Sequence, residues 1–222
     1  DFVTTIAEQN QGISDSSKQH QVSIVKFSGD KSAVVGNDTY YKGGYKYNYS
    51  QVMKAMSPCT DAAAFTNTIN SISPAGATRA DYGLQLAQSQ TSSRKDAKKI
   101  VIFFTDGSPT SSSGFESGVA SSAVSAAKAM KDKDVNATVY TVGIFSDADP
   151  SADPSGASNE NKFMHAVSSN YPEASYTQNS GFWGGWNWNL GTRAEGSDFY
   201  KSASNADDLD KVFEGISSEI VK

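Results

Sequence analysis

The densest apolar run in the chain is Ile100-Val101-Ile102-Phe103-Phe104. Residues of this kind with no polar break predict a strand buried on both faces, as in a parallel sheet covered by helices. The run stops at Asp106-Gly107-Ser108-Pro109. A carboxylate placed where such a strand ends lies on the edge at which open α/β sheets bind ligands. Capping of the following turn is the other reading of Asp106.

The remaining periodicities place elements on either side. Helical spacing is read at Asp1 to Gln9, at Asp61 to Ile72 with Asp61 as N-cap, at Ala80 to Gln90, and through Ala120, Ala123, Val124, Ala127 and Met130. It returns at Asn161 to Ser169 and at Leu209 to Ile220. Strand patterns are read at Gln21 to Phe27, Asn136 to Phe145 and Asp198 to Lys201, and Ser32 to Gly36 is expected to pair back on the first of these as a hairpin. Two aromatic stretches interrupt the pattern and are expected to be insertions, at about 37–60 (Tyr40, Tyr41, Tyr45, Tyr47, Tyr49) and 171–197 (Trp183, Trp186, Trp188). The order predicts one α/β domain over residues 1–222. Its sheet is expected to be doubly wound and mostly parallel, with one antiparallel edge hairpin and helices on both faces.

Composition narrows the function. Charged residues make up 19% of the 222 and the net charge is −5, so no basic footprint for nucleic acid is present. No stretch approaches the roughly 20 apolar residues of a membrane span. With no signal peptide in it, the chain is expected to be mature, trimmed or cytosolic. Cys59 is the single cysteine, which excludes an internal disulfide and a cysteine zinc cluster; it is expected to be buried or paired outside the chain. Low charge with abundant small polar residues fits an extracellular bacterial surface protein. His20 and His165 show no ligand spacing.

Three loops are expected on one edge of the sheet: the Thr78 loop, the Asp106 loop and the acidic loop Asp147 to Asp153. The strand Val22 to Ser28, the loop Gly76-Ala77-Thr78-Arg79-Ala80-Asp81 and the segment Ile100 to Gly107 together resemble the von Willebrand factor A domain, in the form found in Gram-positive surface and pilus-tip adhesins. The resemblance implies a metal-ion-dependent adhesion site holding Mg²⁺ (or Mn²⁺ or Ca²⁺), in which Thr78 matches the family's threonine and Asp106 its distal aspartate. It also implies ligand-binding adhesion to a host or extracellular-matrix protein. Other subunits of a surface or pilus assembly are further partners it implies, at the bacterial cell surface or wall. Hard oxygen ligands of these kinds suit Mg²⁺.

The family's first strand, ending in Asp-x-Ser-x-Ser, is absent. That strand is central in the order 3-2-1-4-5-6, and omitting it leaves buried backbone groups unpaired at roughly 1–3 kcal/mol each. It is therefore expected either to precede the segment in the parent protein or to come from a separate chain.

Around the two metal candidates, Ser108 and Asp149 are candidates for the second shell or for ligand contact, and Arg79 is expected to pair with Asp81 or with a ligand carboxylate. As a surface ion pair, Arg79–Asp81 would contribute little. Tyr45, Trp183 and Trp186 are candidates for an aromatic binding surface, expected at the end opposite the metal edge; mutual packing as a lid is the alternative. A structural or assembly domain with a vestigial metal site is the competing function. An enzyme is not expected. The segment Phe103 to Ser108 is faintly similar to the Asp-x-Asp-Gly-Thr of haloacid-dehalogenase-type phosphatases, but Phe104 occupies the nucleophile's position. Neither a Gly-x-Ser-x-Gly elbow nor a dinucleotide fingerprint is found.

Overall fold

In the computed structural model, which describes residues 2–33, 35–91, 94–180, 184–196 and 198–220, the first helical pattern forms α1 (Phe2–Gln11). It buries Val3, Ile6 and Ala7 against Phe65 and Cys59. The Cys59 thiol is fully buried, and burial raises its pKa. Next come β1 (Gln21–Lys26) and β2 (Ser32–Ala33), then the hairpin β3 (Thr39–Lys42) and β4 (Tyr45–Asn48), and then β5 (Ser50–Pro58). Helix α2 (Ala62–Asn70) is capped by the Asp61 carboxylate, which accepts from the Ala64 amide at 3.2 Å. The order continues α3 (Ala80–Gln90), β6 (Lys99–Thr105), α4 (Ser117–Lys131), β7 (Ala137–Gly143), α5 (Asn159–Val167), the hairpin β8 (Ser175–Gln178) and β9 (Trp186–Asn189), β10 (Tyr200–Ser202) and α6 (Ala206–Ile220).

The antiparallel partner of β1 is β5, not the stretch after Gly29. Strand β2 instead pairs in parallel with β5. The expected short hairpin is therefore replaced by a longer one whose return strand lies inside the supposed insertion at 37–60. Ser50–Pro58 carries few β-branched residues, so propensity conceals a strand that pairing with β1 creates.

Strands β6, β7 and β10 form a parallel sheet in the order β10-β7-β6. Alternation along β6 sends Val101 and Phe103 to the core under α4 and α5, while Ile100 and Ile102 face α6 through Ile216. Helix α4 supplies Ala120, Ala123, Val124, Ala127 and Met130 to that core, and α5 adds Phe163, Met164 and Val167. At the end of α5, the Lys131 ammonium donates to the carbonyls of Ala166, Ser168 and Tyr171 at 2.7, 3.0 and 3.1 Å. It thereby closes the helix carboxyl terminus with a cation.

The fold is α/β, but the strands form two separate three-stranded sheets, with β1 and β6 as facing edges, in place of one continuous sheet. The reason is visible on β6. Its apolar residues Ile100, Val101 and Ile102 are only half-buried and Phe104 is 49% exposed, because β7 covers one edge and no described strand pairs with the other. Of the run expected to be buried on both faces, Phe103 alone is buried.

His165, on α5, is fully buried, with Tyr171 and Tyr200 edge-on to its ring at 5.7 and 5.0 Å. Neither ring nitrogen has a hydrogen-bond partner among the described residues. Burial, with a smaller contribution from the Arg193 charge, lowers its pKa to about 4. An unfolded histidine takes up its proton near pH 6.5, so between pH 6.5 and about 4 only the unfolded state gains it, and stability falls as pH falls. The expected loss from this residue is about 3 kcal/mol. Urea unfolding of the wild type and of His165→Phe at pH 7 and pH 4.5 measures it. The wild type should lose more stability than the variant, and equal losses would refute the assignment.

Candidate functional site

The Thr78 loop is held by its neighbours' backbones. The Asn48 amide and the Ser28 hydroxyl both donate to the Ala75 carbonyl, and the Arg79 amide donates to the Ser28 carbonyl at 2.9 Å. Gly76 sits at φ +107, where a Cβ would come within 2.5 Å of the Tyr47 ring, so this turn needs glycine. Thr78 and Thr110 then form an antiparallel bridge, with N–H to O=C distances of 3.0 and 2.9 Å. That bridge ties the Thr78 loop to the segment following Asp106.

The Thr110 side is itself anchored. Glu116, just before α4, accepts from the hydroxyls of Thr110 and Ser111 and from the amides of Ser111 and Ser112. Burial alone would raise its pKa, but these donors bring it below the ordinary value. Sequence reasoning missed Glu116; the run Thr110 to Ser113, rich in donors and shortly before an acid at a helix start, was the available signal. Asp106 itself sits inside a turn in which the Gly107 amide donates to the Thr105 hydroxyl. Its carboxylate is exposed and, like the half-buried Thr78 hydroxyl, has no hydrogen-bond or ion-pair partner among the described residues.

The other candidates are engaged elsewhere. The Arg79 guanidinium grips Asp81 with two bonds of 2.8 and 2.7 Å and lies over the Tyr82 ring at 3.7 Å. Their side chains are 14% and 6% exposed, so this is a largely buried pair and not the surface pair expected. Its bonds to Asp81 raise the Arg79 pKa further. Ser108 donates to Glu160 at 2.5 Å. Asp149 accepts from the Ser151 amide and hydroxyl, and these bonds lower its pKa.

Both aromatic stretches lie on the same edge as Thr78 and Asp106, not opposite. Strand β1 runs parallel to β6, so the connection from β1 to β5 emerges at the carboxyl end, where Tyr47 packs on Gly76. The β8–β9 hairpin sits over the starts of α4 and α5: Trp188 stacks on Tyr176 at 3.8 Å, lies 6.3 Å from the Phe115 ring, and donates to Asn159. Trp186 packs on Tyr176 at 5.2 Å, and Tyr45 is 74% exposed at its hairpin tip. Trp183 lies outside the described residues.

Thr78 and Asp106 offer a hydroxyl and a carboxylate, the hard donor type Mg²⁺ takes, and their lack of internal partners leaves them available to a cation. They are too few for a closed shell, and among the described residues no group of three His, Cys, Asp or Glu side chains could hold a metal. No helix of the described residues is long and apolar enough to cross a membrane.

Comparison with known proteins matches this arrangement to a family. A structure of the pilus adhesin SpaC from Lactobacillus rhamnosus GG is similar with a TM-score of 0.57 and 16% identity, over 100% of this chain and 27% of the adhesin. Its open conformation gives 0.56 and 16%, over 99% and 27%. This chain thus spans about a quarter of that adhesin's length. The conserved hypothetical protein BatB from Bacteroides thetaiotaomicron aligns at 0.46 and 16% identity, over 99% of this chain and 83% of its own. A search of the curated proteins finds no match. The model of the von Willebrand factor type A domain, a family that commonly binds a divalent metal, matches residues 1–180, and the chain belongs to that family.

Proposed function

We propose that this domain is an extracellular adhesion module of a bacterial surface or pilus protein, and that it binds a host or matrix protein through a divalent cation. The observation that carries the reading is the pair of unengaged side chains, Thr78 and Asp106, on loops that the Thr78–Thr110 bridge holds together. Thr78 and Asp106 would hold the cation, Mg²⁺ first and Mn²⁺ or Ca²⁺ as alternatives. A bound ion would supply a positive centre for a carboxylate of the ligand. Tyr45 and Trp186 stand on either side of this edge and suit contact with a protein surface. Similarity of fold to a pilus adhesin supports the surface location. The domain is read as a binding module without catalysis.

Titration calorimetry with Mg²⁺ and Mn²⁺ tests this. The wild type should bind with a heat that EDTA abolishes, Asp106→Ala should weaken binding at least tenfold, and Thr78→Ala should weaken it less. Equal heats for wild type and Asp106→Ala would remove the site. The second reading, an assembly domain with a vestigial site, draws on Ser108, Arg79 and Asp149, which are all satisfied inside the fold. Absence of any cation heat in the folded domain would favour it.

A further inference from the structure

We propose that the outer edge of β3 is a docking edge for a partner protein, which adds an extended, acidic segment there as a third strand of the β3–β4 hairpin. This deepens the reading of the domain as a binding module, on which it rests, but does not depend on a cation.

The backbone of β3 is aimed at such a partner. Gly43 and Gly44 have φ of +59 and +84, as the tight turn that matches the twist of two paired strands requires. Lys42 faces Tyr45 across that turn, and the register runs without a bulge through Tyr41↔Lys46, Tyr40↔Tyr47 and Thr39↔Asn48. In such a ladder alternate pairs exchange their N–H and C=O bonds, and the pairs between them point these groups outward. Asn48 is of the outward kind. Its amide donates to the Ala75 carbonyl at 2.9 Å, and its carbonyl accepts from the Gly29 amide at 3.1 Å. Thr39, its partner, and Tyr41 therefore turn their amides and carbonyls away from β4, and these groups have no hydrogen bond among the described residues. Edges of this kind are ordinarily blunted by a proline, a bulge or a guarding lysine. Strand β3 has neither proline nor bulge, and its one lysine, Lys42, is turned to Asp30 at 2.6 Å.

The side chains define the segment that fits. Tyr41 and Tyr45, 73% and 74% exposed, are the most exposed large apolar side chains among the described residues. Tyrosines held on a tight hairpin give contact area at low entropy cost. The carboxylates at the root of the hairpin are occupied: Asp30 accepts from the Tyr40 hydroxyl and from Lys42, and Asp38 accepts from the Gln51 side-chain amide at 2.7 Å. The ammonium groups are less engaged. Lys46 is exposed, Lys31 lies over the Tyr40 ring at 4.7 Å, and neither has a carboxylate partner among the described residues. Unpaired cations gathered here, on a chain of net charge −5, select an acidic segment. A second copy of this chain would bring another set of these lysines to the sheet and no unoccupied carboxylate from its own hairpin root. Tyr47 packs on Gly76, so the docked segment lies beside the Thr78 loop.

Amide hydrogen exchange in EDTA, with a synthetic peptide alternating glutamate and valine, tests the edge apart from any cation. With the peptide at about ten times its Kd, the Thr39 and Tyr41 amides should exchange about tenfold more slowly. A peptide of lysine and valine should leave them unchanged, as should the glutamate peptide with its backbone amides methylated, which cannot complete a ladder. Tyr41→Pro removes an outward amide and should abolish the effect. Lys46→Glu leaves the backbone untouched and should weaken binding severalfold. Equal protection by the two charged peptides would overturn the proposal, as would no protection by either, or Lys46→Glu binding as tightly as the wild type. Protection that rises with protein concentration in the absence of peptide would overturn the choice of occupant in favour of a second copy. Calorimetry with Mg²⁺ decides the cation site independently of all these outcomes.

Discussion

Replacing Asp81 with alanine is expected to destabilise the domain by about 3–5 kcal/mol, the range for removing one partner of a buried ion pair. The physical cause is the guanidinium left behind. Arg79 makes both of its carboxylate bonds to Asp81, and its side chain is only 14% exposed. Without Asp81 it must stay charged in poor solvent or swing out and leave Tyr82. Asp81 also lies in the first turn of α3, where a negative charge suits the helix dipole. The consequence reaches the candidate site, because Arg79 is adjacent to Thr78 and its amide holds Ser28. Urea unfolding measures the loss, and Asp81→Ala should also weaken cation binding through the displaced loop. The double variant Arg79→Met, Asp81→Leu should recover part of the stability, since the uncompensated charge is gone. A cost below about 1 kcal/mol for Asp81→Ala, the worth of an exposed pair, would show that the pair is solvated after all.

Phe103→Ala is expected to cost about 3–5 kcal/mol, as for other buried phenylalanines cut back to a methyl. Phe103 is 4% exposed, stacks on Phe27 and meets the Phe163 ring edge-on at 6.1 Å. It is therefore both a core residue of the β6 sheet and a point where the β1 sheet leans on it. Thermal unfolding should show a fall of about 10 °C for a domain of this size. Phe27→Leu, which keeps apolar bulk on the opposite side of the seam, should cost clearly less. Equal costs for the two would mean that the seam, not the core under α4, sets the penalty.

Much of this was legible in the sequence, and the reason differs by element. The helices at Ala80 and Ser117 and the strands at Lys99 and Ala137 announce themselves because each buries a regular face. Asp61 was readable as a cap because its chemistry is local. Strand β5 was not, since its identity comes from pairing with β1, thirty residues distant in places and invisible to local pattern. Both aromatic hairpins are legible as aromatic, but the end at which they emerge is not; for the tyrosine hairpin the reason is that β1 pairs with β5 and not with the stretch just after Gly29. For the candidate site, Thr78 and Asp106 follow from motif and position, and the structure adds what ties them together. The Thr78–Thr110 bridge and its anchor Glu116 depend on loop geometry that no spacing encodes. The engagement of Arg79, Ser108 and Asp149 within the fold likewise depends on contacts that only the folded chain reveals.

The divided sheet gives the molecule two kinds of optical reporter. All three tryptophans fall between residues 183 and 188, and the two described ones rest on Tyr176 beside α4. Tyr40, Tyr47 and Tyr49 cluster on the other side, packed around the turn that follows β1. The core on that side is small, built on Val3, Ile6, Ala7, Cys59 and Phe65, while the one under α4 and α5 is much larger. Local opening is favoured where fewer apolar groups are buried. Tryptophan emission therefore follows the β6 half alone, whereas tyrosine emission sums both halves, since Tyr171, Tyr176 and Tyr200 lie in the larger core; a tyrosine midpoint displaced from the tryptophan one reveals the halves melting apart, and coincident midpoints reveal a single cooperative unit.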